Sequence, residues 1–538
     1  MGQGATGTDQ HYQVVIVGGG PVGLALAVDL GQRGISCVVV EKNREVSRLP
    51  KGQGLKQRAL EHFYFWHCVD ELRAQRLMPA DYSVVGLKAY GSLMSGYWYG
   101  SGQESISYLR DFYFQERERL PQYLTEQVLR ARAAQLPAVT LLFGWTARDI
   151  ATDDSGVRVT IAQSAQPGGE RVVEGEYLVG CDGSHSAVRE HLGIERHGTD
   201  FQQRMVLAVF SSPQLHEKLR ELGDHAVYQV INPHLNGAWQ FFGRIEVGRS
   251  WFFHAPVHEG TTAADHDYLR RLMAQAAGLS FPAEFEHVGF WQLRIEVAET
   301  YRKGRAFIAG DAAHSHPPYG GYGLNAGLED VVNLGWKLGA RLGGWGGEAL
   351  LDSYSEERQP VFARIGEDVI AGGIRREADW LRKHSLSSDR EDFEKAWTER
   401  AGQGGRDPIF VPHYEGSSIV IGSPRAPVGI HASHSFTARA GHHLTPQPLS
   451  DGRNVFETLG AGFSLLAFGA DDDDIRELEH AARACRFPLT VVRDSLGQGR
   501  ERYGSRLILV RPDQFVAWSG ERAPNDPGSL LGRVTGSG

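Results

Sequence analysis

The sequence predicts an α/β protein that consists of a Rossmann-like domain, an inserted domain of mostly antiparallel β-strands and a small C-terminal α/β domain. Near the N terminus, a buried strand runs directly into a glycine-rich turn and a helix, and similar junctions follow near residues 182 and 311. Between the last two junctions the chain has several strand-like runs and little helical periodicity. A length of 538 residues allows two or three domains.

The charge balance and the cysteine content exclude several classes of protein. The 56 basic and 65 acidic residues give a formal net charge of -9 without long runs of one sign, so we expect no nucleic-acid partner. No apolar run reaches the length of a membrane span and no signal-peptide pattern is present, so we expect no membrane association and a cytoplasmic location. The scattered cysteines predict neither a disulfide framework nor a metal site: Cys37, Cys68, Cys181 and Cys485.

The first strand–turn–helix unit matches the fingerprint of dinucleotide-binding domains. Residues 14–17 form an apolar strand, and the G-x-G-x-x-G glycines follow at once. Gly18 allows the tight turn, Gly20 lets the backbone approach a pyrophosphate, and Gly23 lets the helix pack closely on the strand. A second strand ends at Glu41, where an acidic side chain can bind a ribose hydroxyl. Because the pattern lies between two strands, it is specific for a dinucleotide.

The third junction combines a carboxylate, a glycine loop and a helix start. An apolar strand over residues 306–309 leads to Asp311, whose carboxylate can accept hydrogen bonds from ligand hydroxyls. Three glycines within residues 320–323 let the backbone approach a flat ring, because no Cβ intervenes. A helix that we predict to open at Asn325 offers free N–H groups and a positive dipole end. These features suit a cofactor with a polyol chain and a planar ring that becomes anionic on reduction.

Two other positions are less specific when they are considered alone. Asp182 follows an apolar strand and precedes a helix, which also fits an ordinary strand-to-helix turn. Arg58 starts a helix after a basic, glycine-containing loop, where it either contacts a phosphate or is a solvated helix arginine. The residues themselves leave both pairs of alternatives open.

The middle of the chain predicts a second domain. Residues 82–114 alternate aromatic and polar side chains, as strands of an antiparallel sheet do, and residues 204–293 contain further strand-like runs. We therefore predict a mostly antiparallel domain inserted before the third junction. Residues 384–412 are polar and poorly patterned, which indicates a domain boundary. Strand and helix patterns beyond residue 420 predict a small separate α/β domain.

The three junctions, in this order, resemble those of the class A flavoprotein monooxygenases, the single-component aromatic hydroxylases typified by p-hydroxybenzoate hydroxylase. Cys181-Asp182-Gly183 matches their D-G motif, and Gly310-Asp311 with residues 318–325 matches their G-D motif and flavin loop. The C-terminal part resembles the phenol hydroxylase branch, which includes 3-(3-hydroxyphenyl)propionate hydroxylase and polyketide-tailoring hydroxylases. That branch carries a thioredoxin-like C-terminal domain.

The resemblance implies a discontinuous FAD-binding domain of the p-hydroxybenzoate hydroxylase type. The expected division of the chain is 12–82, 115–200 and 294–385 for the FAD-binding domain, 83–114 and 201–293 for a substrate-binding β-sheet domain, and 420–538 for a thioredoxin-like domain. Because the last segment has no C-x-x-C pair, we expect it to supply packing or homodimer contacts rather than electrons.

The resemblance also implies which residues hold the cofactor. The residues expected to bind FAD are Gly18, Gly20, Gly23, Glu41, Lys42, Arg58, Gln122, Asp182, Asp311, Pro318, Gly321, Gly323, Leu324 and Asn325. Arg58 would approach the pyrophosphate, and Gln122 and Asp311 the ribityl chain. Residues 323–325 would line the pyrimidine edge of the flavin. Pro318 would lie beside the flavin face where the substrate ring of the family sits, so we also place it in the catalytic site.

The activity implied by the resemblance is hydroxylation of a phenolic or aromatic substrate with O₂ and NADPH or NADH, through a flavin C4a-hydroperoxide. Phenols react more readily when deprotonated, so a base is expected; the candidates are His316, Tyr228 and His225, each of which also fits an ordinary sheet or loop residue. The alternative activity is that of a Baeyer–Villiger or epoxidising monooxygenase acting on a polycyclic aromatic polyketide. A flavin dehydrogenase or disulfide reductase lacks a placed acceptor or cysteine pair, and the intact flavin loop disfavours a noncatalytic flavin-binding scaffold.

Overall fold

A computed structural model of the protein describes residues 10–79, 82, 85–101, 107–164, 169–403, 411–422 and 426–538. The strands are β1 Gln10–Val17, β2 Cys37–Glu41, β3 Gly54–Leu55, β4 Gly86–Tyr90, β5 Trp98–Ser101, β6 Glu118–Arg119, β7 Val139–Phe143, β8 Trp145–Thr152, β9 Val157–Gln163, β10 Glu170–Gly180, β11 Arg196–Ser211, β12 Val227–Ile231, β13 Gln240–Glu246, β14 Ser250–Pro256, β15 Glu284–Ala298, β16 Arg302–Lys303, β17 Ala306–Ile308, β18 His314–Ser315, β19 Phe463–Phe468, β20 Leu489–Asp494, β21 Leu507–Val510 and β22 Val516–Gly520.

The α-helices alternate with strands at both ends of the chain and are sparse in its middle, as the sequence predicts. They are α1 Pro21–Gln32, α2 Gln57–Phe65, α3 Val69–Ala74, α4 Gln122–Ala134, α5 Ala187–His191, α6 Pro213–Leu219, α7 His266–Ala277, α8 Tyr322–Leu342, α9 Glu348–Arg364, α10 Gly372–Lys383, α11 Arg390–Gly402, α12 Asp472–Ala484 and α13 Pro527–Val534. A π-helical stretch, Ile365–Ala371, joins α9 to α10.

The first sheet has the parallel core that the strand–helix units predict. Its order is β16-β17-β10-β1-β2-β7, and β1 pairs in parallel with both β10 and β2. The central strands read as continuous apolar runs because they are buried, and their side chains join those of α1, α8, β8 and β9 in one buried cluster. Since β1, β10 and β17 run in the same direction, their carboxyl ends meet at one edge of the sheet.

The second sheet is mostly antiparallel, in the order β18-β15-β11-β14-β13-β12-β4-β5. The β4–β12 pair is parallel, which the sequence does not reveal. β18 follows the third glycine junction and pairs with the end of β15, so this sheet is joined to the edge where the parallel strands end. The two sheets therefore meet at the position of the glycine turns.

The C-terminal segment forms a third sheet in the order β20-β19-β21-β22. β19 and β20 are parallel, whereas β21 and β22 are antiparallel to their neighbours. Side chains of β19, α12 and α13 pack with Trp336 of α8 in a common buried cluster. This segment is therefore anchored directly on a helix of the first sheet.

Three sequence expectations differ from the structure. Residues 107–112 are helical rather than strand-like, and residues 83–84 and 102–106 of the same predicted segment lie outside the described residues. The helix predicted to open at Asn325 begins three residues earlier, at Tyr322. The predicted boundary at 384–412 contains α11, whose Phe393 and Trp397 are buried; residues 404–410 of it are outside the described part.

Within the described residues, no helix is both long enough and apolar enough to cross a membrane.

Candidate FAD and substrate site

A cavity of about 2140 Å³ opens at the carboxyl edge of the first sheet. Ligand pockets for small molecules usually measure about 300–1,000 Å³, so the cavity has room for a dinucleotide and a second ligand. One end is lined by the three glycine junctions, and the other by the second sheet. Carboxyl ends of parallel strands are the usual place for ligands in open α/β sheets.

The first glycine turn is built for close approach of the backbone. Gly18 has a φ of +105°, and a Cβ there would lie 2.3 Å from the carbonyl oxygen of Cys181. A Cβ at Gly23 would lie 2.0 Å from the oxygen of Gly18. Gly20, by contrast, has nothing within 4 Å of an added Cβ and lines the cavity. Two glycines therefore hold the turn together, and the third leaves space for a ligand.

Glu41 ends β2 directly beside this turn. Its Oε2 accepts a hydrogen bond of 2.7 Å from the backbone N–H of Gly19. Its Oε1 accepts from the backbone and the side chain of Asn43, each at 2.8 Å. The carboxylate is thus fixed at the cavity wall, and the exposed Lys42 lies next to it on the same wall.

Two aspartates follow the other parallel strands. Asp311 faces the cavity, and protein atoms around the cavity desolvate its carboxylate, which raises its pKa. Asp182 also has a raised pKa because of burial; its Oδ2 accepts from the backbone N–H of Val188 at 3.2 Å, whereas Oδ1 is buried without a partner in the described residues. Both side chains have acceptor oxygens left for a ligand.

The flavin loop leads into α8 through a left-handed turn. Gly320 and Gly321 have φ values of +62° and +69°, and Gly321 is the N-cap of α8. Pro318, Gly323 and Leu324 line the cavity. The first N–H groups of α8 therefore lie at the cavity wall, where they can stabilise negative charge.

Asn325 lies within the first turn of α8 rather than at the start of the helix, where it was predicted. Its side-chain amide donates to the oxygens of Gly54 at 2.8 Å and Gly321 at 2.6 Å, and its Oδ1 accepts from the backbone N–H of Lys56 at 2.7 Å. The side chain thereby ties the segment around β3 to the first turn of α8. Asn325 shapes the cavity wall mainly by holding these two backbones together.

Gln122 and Arg58 both line the cavity, and both have protein partners. Gln122 is the first residue of α4, and its Nε2 donates to Glu126 at 2.9 Å. The guanidinium of Arg58 pairs with Glu61 and Glu329 and donates to Gln514 of the C-terminal segment at 2.8 Å. Arg58 therefore links the cavity to the C-terminal segment, a contact that a single sequence does not indicate.

His316 is the one candidate base that lies on the cavity wall. Its Nδ1–H donates to the oxygen of Pro317 at 2.5 Å, which leaves Nε2 as the acceptor. Nε2 is buried without a partner in the described residues, next to Gly323. Burial lowers the pKa of His316 to about 4, so the ring is neutral at neutral pH.

Tyr228 and His225 do not line the cavity, and this corrects their assignment as candidate bases. Side chains alternate along β12, so Val227 and Gln229 face the cavity and Tyr228 packs in the core on the other face. The Tyr228 hydroxyl donates to the oxygen of Gly223 at 3.0 Å and accepts from Arg244 at 2.8 Å. The Nε2 atom of His225 forms a hydrogen bond of 3.1 Å with the backbone carbonyl oxygen of Leu222.

Sequence reasoning missed the aromatic wall opposite the flavin loop. It consists of side chains from β13, β14 and β15 and from the segments around them: Trp239, Phe241, Phe252, His254, Phe290 and Trp291. His254 stacks on Phe241 with ring centroids 4.8 Å apart and accepts from the Trp291 indole at 3.3 Å. Burial lowers the pKa of His254 to about 3, so its ring is neutral. The sequence predicts strands in this region, but it does not show which of two adjacent aromatic residues, such as Phe241 and Phe242, faces the cavity.

Comparisons with known proteins agree with this geometry. A model of an FAD binding domain matches residues 11–368, and a model of the C-terminal part of aromatic-ring hydroxylases matches residues 437–537. The chain is 30% identical to 4-methyl-5-nitrocatechol 5-monooxygenase of Burkholderia sp over 98% of this chain and 97% of that protein. It is 32% identical to rifampicin monooxygenase of Streptomyces venezuelae over 97% of this chain and 98% of that protein.

Solved structures are similar over nearly the whole chain. Aklavinone-11 hydroxylase in a ternary complex with FAD and aklavinone has a TM-score of 0.82 at 25% identity, covering 98% of this chain and 100% of that one. The rebeccamycin biosynthetic enzyme RebC with bound 7-carboxy-K252c has a TM-score of 0.82 at 27% identity, covering 99% and 100%.

The cavity fits FAD on the observations above. The open Gly20 backbone suits a pyrophosphate, the acceptor oxygens of Asp311 suit ribityl hydroxyls, and the start of α8 suits the electron-rich edge of a flavin. The chain therefore belongs to the FAD-dependent monooxygenases of the aromatic-ring hydroxylase family.

Proposed function

We propose that this monooxygenase hydroxylates a phenolic or polycyclic aromatic ring, with NADH or NADPH as the hydride donor. The observation that carries the proposal is the continuity of the cavity, which joins the glycine junctions to the aromatic wall of the second sheet. An aromatic wall stacks on a flat ring and excludes water from it. The relatives' names support the substrate class, since one of them acts on a nitrocatechol, itself a phenol.

In this proposal the chain binds and orients the reactants. Bound FAD would supply hydride acceptance and oxygen activation, which are chemistry of the cofactor. Gly18 and Gly20 would admit the pyrophosphate to the backbone at the start of α1, Glu41 would bind the ribose, and Asp311 the ribityl hydroxyls. The N–H groups at the start of α8 would stabilise negative charge on the pyrimidine edge.

We propose His316, the remaining candidate, as the base that would deprotonate the phenol. Its neutral ring has an acceptor at Nε2, and Pro317 holds the tautomer through Nδ1. The burial of Nε2 against Gly323 means that a proton would reach it only when the flavin loop shifts. Pro318, two residues on, would pack against the substrate ring beside the flavin.

We also propose the finer domain organisation. The strand order β20-β19-β21-β22, with a parallel first pair and antiparallel later strands, supports a thioredoxin-like C-terminal domain. In the described residues Cys485 is exposed and the other cysteines lie outside this domain, which supports a packing role rather than a redox role. A homodimer would use surfaces of the same domain.

The test is to purify the protein, identify the released flavin, and measure NADH and NADPH consumption with a panel of phenols and anthraquinones under ¹⁸O₂. We expect FAD, and a product that carries one labelled hydroxyl oxygen on an aromatic carbon. A labelled ring oxygen in a lactone would instead support the Baeyer–Villiger alternative, and an epoxide the epoxidising one. Protein that holds no flavin and consumes no reduced nucleotide would refute the proposal.

A further inference from the structure

A patch of the cavity wall consists of hydrogen-bond donors without acceptors. Gln53, Arg117 and Arg119 all line the cavity. The Nε atoms of both arginines and the Nε2 atom of Gln53 are buried, and none of the three has a partner among the described residues. Buried polar groups in folded proteins are nearly always hydrogen-bonded, so three unpaired donors beside one cavity are unusual.

The fold places the three side chains together. β3 pairs with β6 so that Gly54 lies opposite Arg119, which brings Gln53 beside the arginines. The Nη2 of Arg119 donates to Oε1 of Gln53 at 2.7 Å. Arg117 and Arg119 are two residues apart, and this spacing puts both side chains on one side of an extended chain.

The nearest carboxylate does not neutralise this pair. Glu118 lies between the two arginines in sequence, but its side chain turns to Arg76, whose Nε donates to it at 3.0 Å. Burial and, to a lesser extent, the charge of Arg117 lower the pKa of Arg119 to about 9. The pKa of Arg117 is also lowered by burial.

Several other buried arginines of the protein have counter-ions, whereas the buried Arg244 donates to the oxygens of His225 and Tyr228. Arg511 pairs with Glu357 at 2.6 Å and also with Asp513, and Arg358 pairs with Asp330 at 2.8 Å. Two neighbouring cations without an anion, the buried Arg119 and the half-buried Arg117, are costly to maintain, because burial removes hydration and the charges repel each other. An anion that enters the cavity would offset this cost.

We propose that Arg117 and Arg119, with Gln53, form an anion subsite that binds an oxyanion of a ligand in the cavity. Two ligands of the proposed reaction could supply it, namely an aromatic substrate that carries a carboxylate or the phosphates of NADH or NADPH. Planar guanidinium groups suit both, since they donate paired hydrogen bonds to carboxylate and phosphate oxygens. The identity of these two ligands rests on the proposed function, whereas the existence of the subsite does not.

The experiment compares FAD-loaded wild-type protein with Arg117→Met and Arg119→Met. The control is Arg294→Met, because Arg294 also lines the cavity but has its own carboxylate, Glu296, at 3.4 Å. Dissociation constants for 3-hydroxybenzoate and for the neutral 3-hydroxybenzyl alcohol are measured from the flavin absorbance change. The dependence of anaerobic flavin reduction on NADH and NADPH concentration is measured for the same proteins.

If a substrate carboxylate is the ligand, the preference for the acid over the alcohol falls at least tenfold in both variants and stays within twofold in the control. If dinucleotide phosphates are the ligand, the apparent dissociation constants of NADH and NADPH rise at least tenfold instead. Either result supports the subsite. Changes below twofold for every ligand in both variants would overturn it.

Thermal unfolding of the proteins without added ligand gives a second, activity-independent readout. Because the arginines lack a counter-ion, Arg119→Met is expected to unfold at the same or a higher temperature than wild type. Addition of 3-hydroxybenzoate or NADPH should then stabilise wild type more than the variant. A lower unfolding temperature together with unchanged stabilisation by both ligands would show a structural role only.

If Arg119→Met does not fold, the test uses the half-buried Arg117. Arg117→Lys should then bind the anionic ligand better than Arg117→Met. These binding and unfolding measurements do not require product formation. An inactive but anion-binding protein would therefore refute the proposed function and leave the subsite intact.

Discussion

At Gly18 the backbone conformation and a neighbouring chain segment both exclude a side chain. Its φ of +105° is unfavourable for other residues, and an added Cβ would lie 2.3 Å from the Cys181 oxygen. Gly34 is a matched control, since its φ is +76° but nothing lies within 4 Å of an added Cβ. We expect Gly34→Ala to lower the free energy of unfolding by about 1 kcal/mol from strain alone. Gly18→Ala should cost about 1–3 kcal/mol more from the clash, measured by denaturant unfolding.

A comparison of the two glycine variants also shows the result that would contradict this prediction. If the two glycine variants lose equal stability, the contact between Gly18 and Cys181 is not as close as the structure has it. The FAD content of the two purified variants provides a parallel measurement, and only Gly18→Ala is expected to lose the cofactor.

Asp311 provides the second prediction at this scale. Its carboxylate faces the cavity, and hydrogen bonds from ribityl hydroxyls to a charged acceptor contribute about 1.5–3 kcal/mol. Asp311→Ala should therefore raise the dissociation constant of FAD about 10- to 150-fold. Fluorescence titration of the apoprotein with FAD measures it, with Asp153→Ala as the control, since Asp153 is outside the cavity wall in a turn with Ser155. An unchanged constant in Asp311→Ala would remove Asp311 from the flavin site.

Three residues that were predicted for the site and that line the cavity share one property. Gly18, Asp182 and Asp311 each follow directly after a buried parallel strand, so their position at the cavity follows from the topology alone. Tyr228 does not line the cavity because it lies on the other face of β12, and His225 lies before β12 begins. A shift of one residue in a strand exchanges the two faces, and a single sequence does not fix that choice here.

At the scale of elements, the errors occur where tertiary contacts override local pattern. Residues 107–112 belong to the segment 82–114 that was predicted as strands but form helical turns, in which Phe112 stacks on Phe436 of the C-terminal segment at 4.8 Å. Helix α11 has a polar sequence, yet its Phe393 packs on Tyr90 of the second sheet at 4.5 Å. Both elements are stabilised by contacts distant in sequence, which periodicity does not report.

A buried ionic network joins the C-terminal segment to α8 and α9. Glu357 of α9 accepts hydrogen bonds from Lys337 at 2.8 Å, from Arg511 at 2.6 Å and from Ser417 at 2.7 Å. Removing one partner of such a pair leaves a buried charge uncompensated, at a cost of about 3–5 kcal/mol. We expect Glu357→Gln to lower the free energy of unfolding by about that amount in denaturant titrations. The double variant Glu357→Leu with Arg511→Met should lose less than Glu357→Gln, and a larger loss would contradict the ionic origin of the effect.

The same network predicts a dependence on pH. Burial by itself would raise the pKa of Glu357, but Arg511 and Lys337 hold it below its ordinary value of 4.5. A carboxyl whose folded pKa is depressed stabilises the protein fully above its unfolded pKa, and this contribution is lost as the pH falls toward the folded pKa. The stability difference between wild type and Glu357→Gln should thus shrink as the pH falls below about 4.5. A difference that grows on acidification would contradict this assignment.

For the molecule as a whole, the first two sheets and the C-terminal segment contribute to one cavity wall. The first sheet supplies the glycine junctions and the second the aromatic wall, and the C-terminal segment adds His443 and Phe515. His443 pairs with Glu61 at 2.9 Å, and Glu61 in turn pairs with Arg58. The C-terminal segment is therefore positioned to affect the ligand site through packing and charge.

The last prediction is that the enzyme oxidises NADH or NADPH slowly in the absence of substrate and much faster when the correct aromatic substrate is bound. The sequence has one G-x-G-x-x-G unit that follows a buried strand and opens a helix, and FAD is expected to occupy it. The nicotinamide must then meet the flavin transiently in the shared cavity. Left-handed Gly320 and Gly321 leave the loop beside the flavin without side chains, so the ring has room to move between positions for reduction and hydroxylation. A substrate can bias that movement only through unequal affinity for the two positions.

Stopped-flow reduction of FAD should be at least tenfold faster with a substrate than without one, while an aromatic compound that is not hydroxylated serves as the control. Equal reduction rates with and without substrate would reject this gating and leave the flavin assignment unaffected.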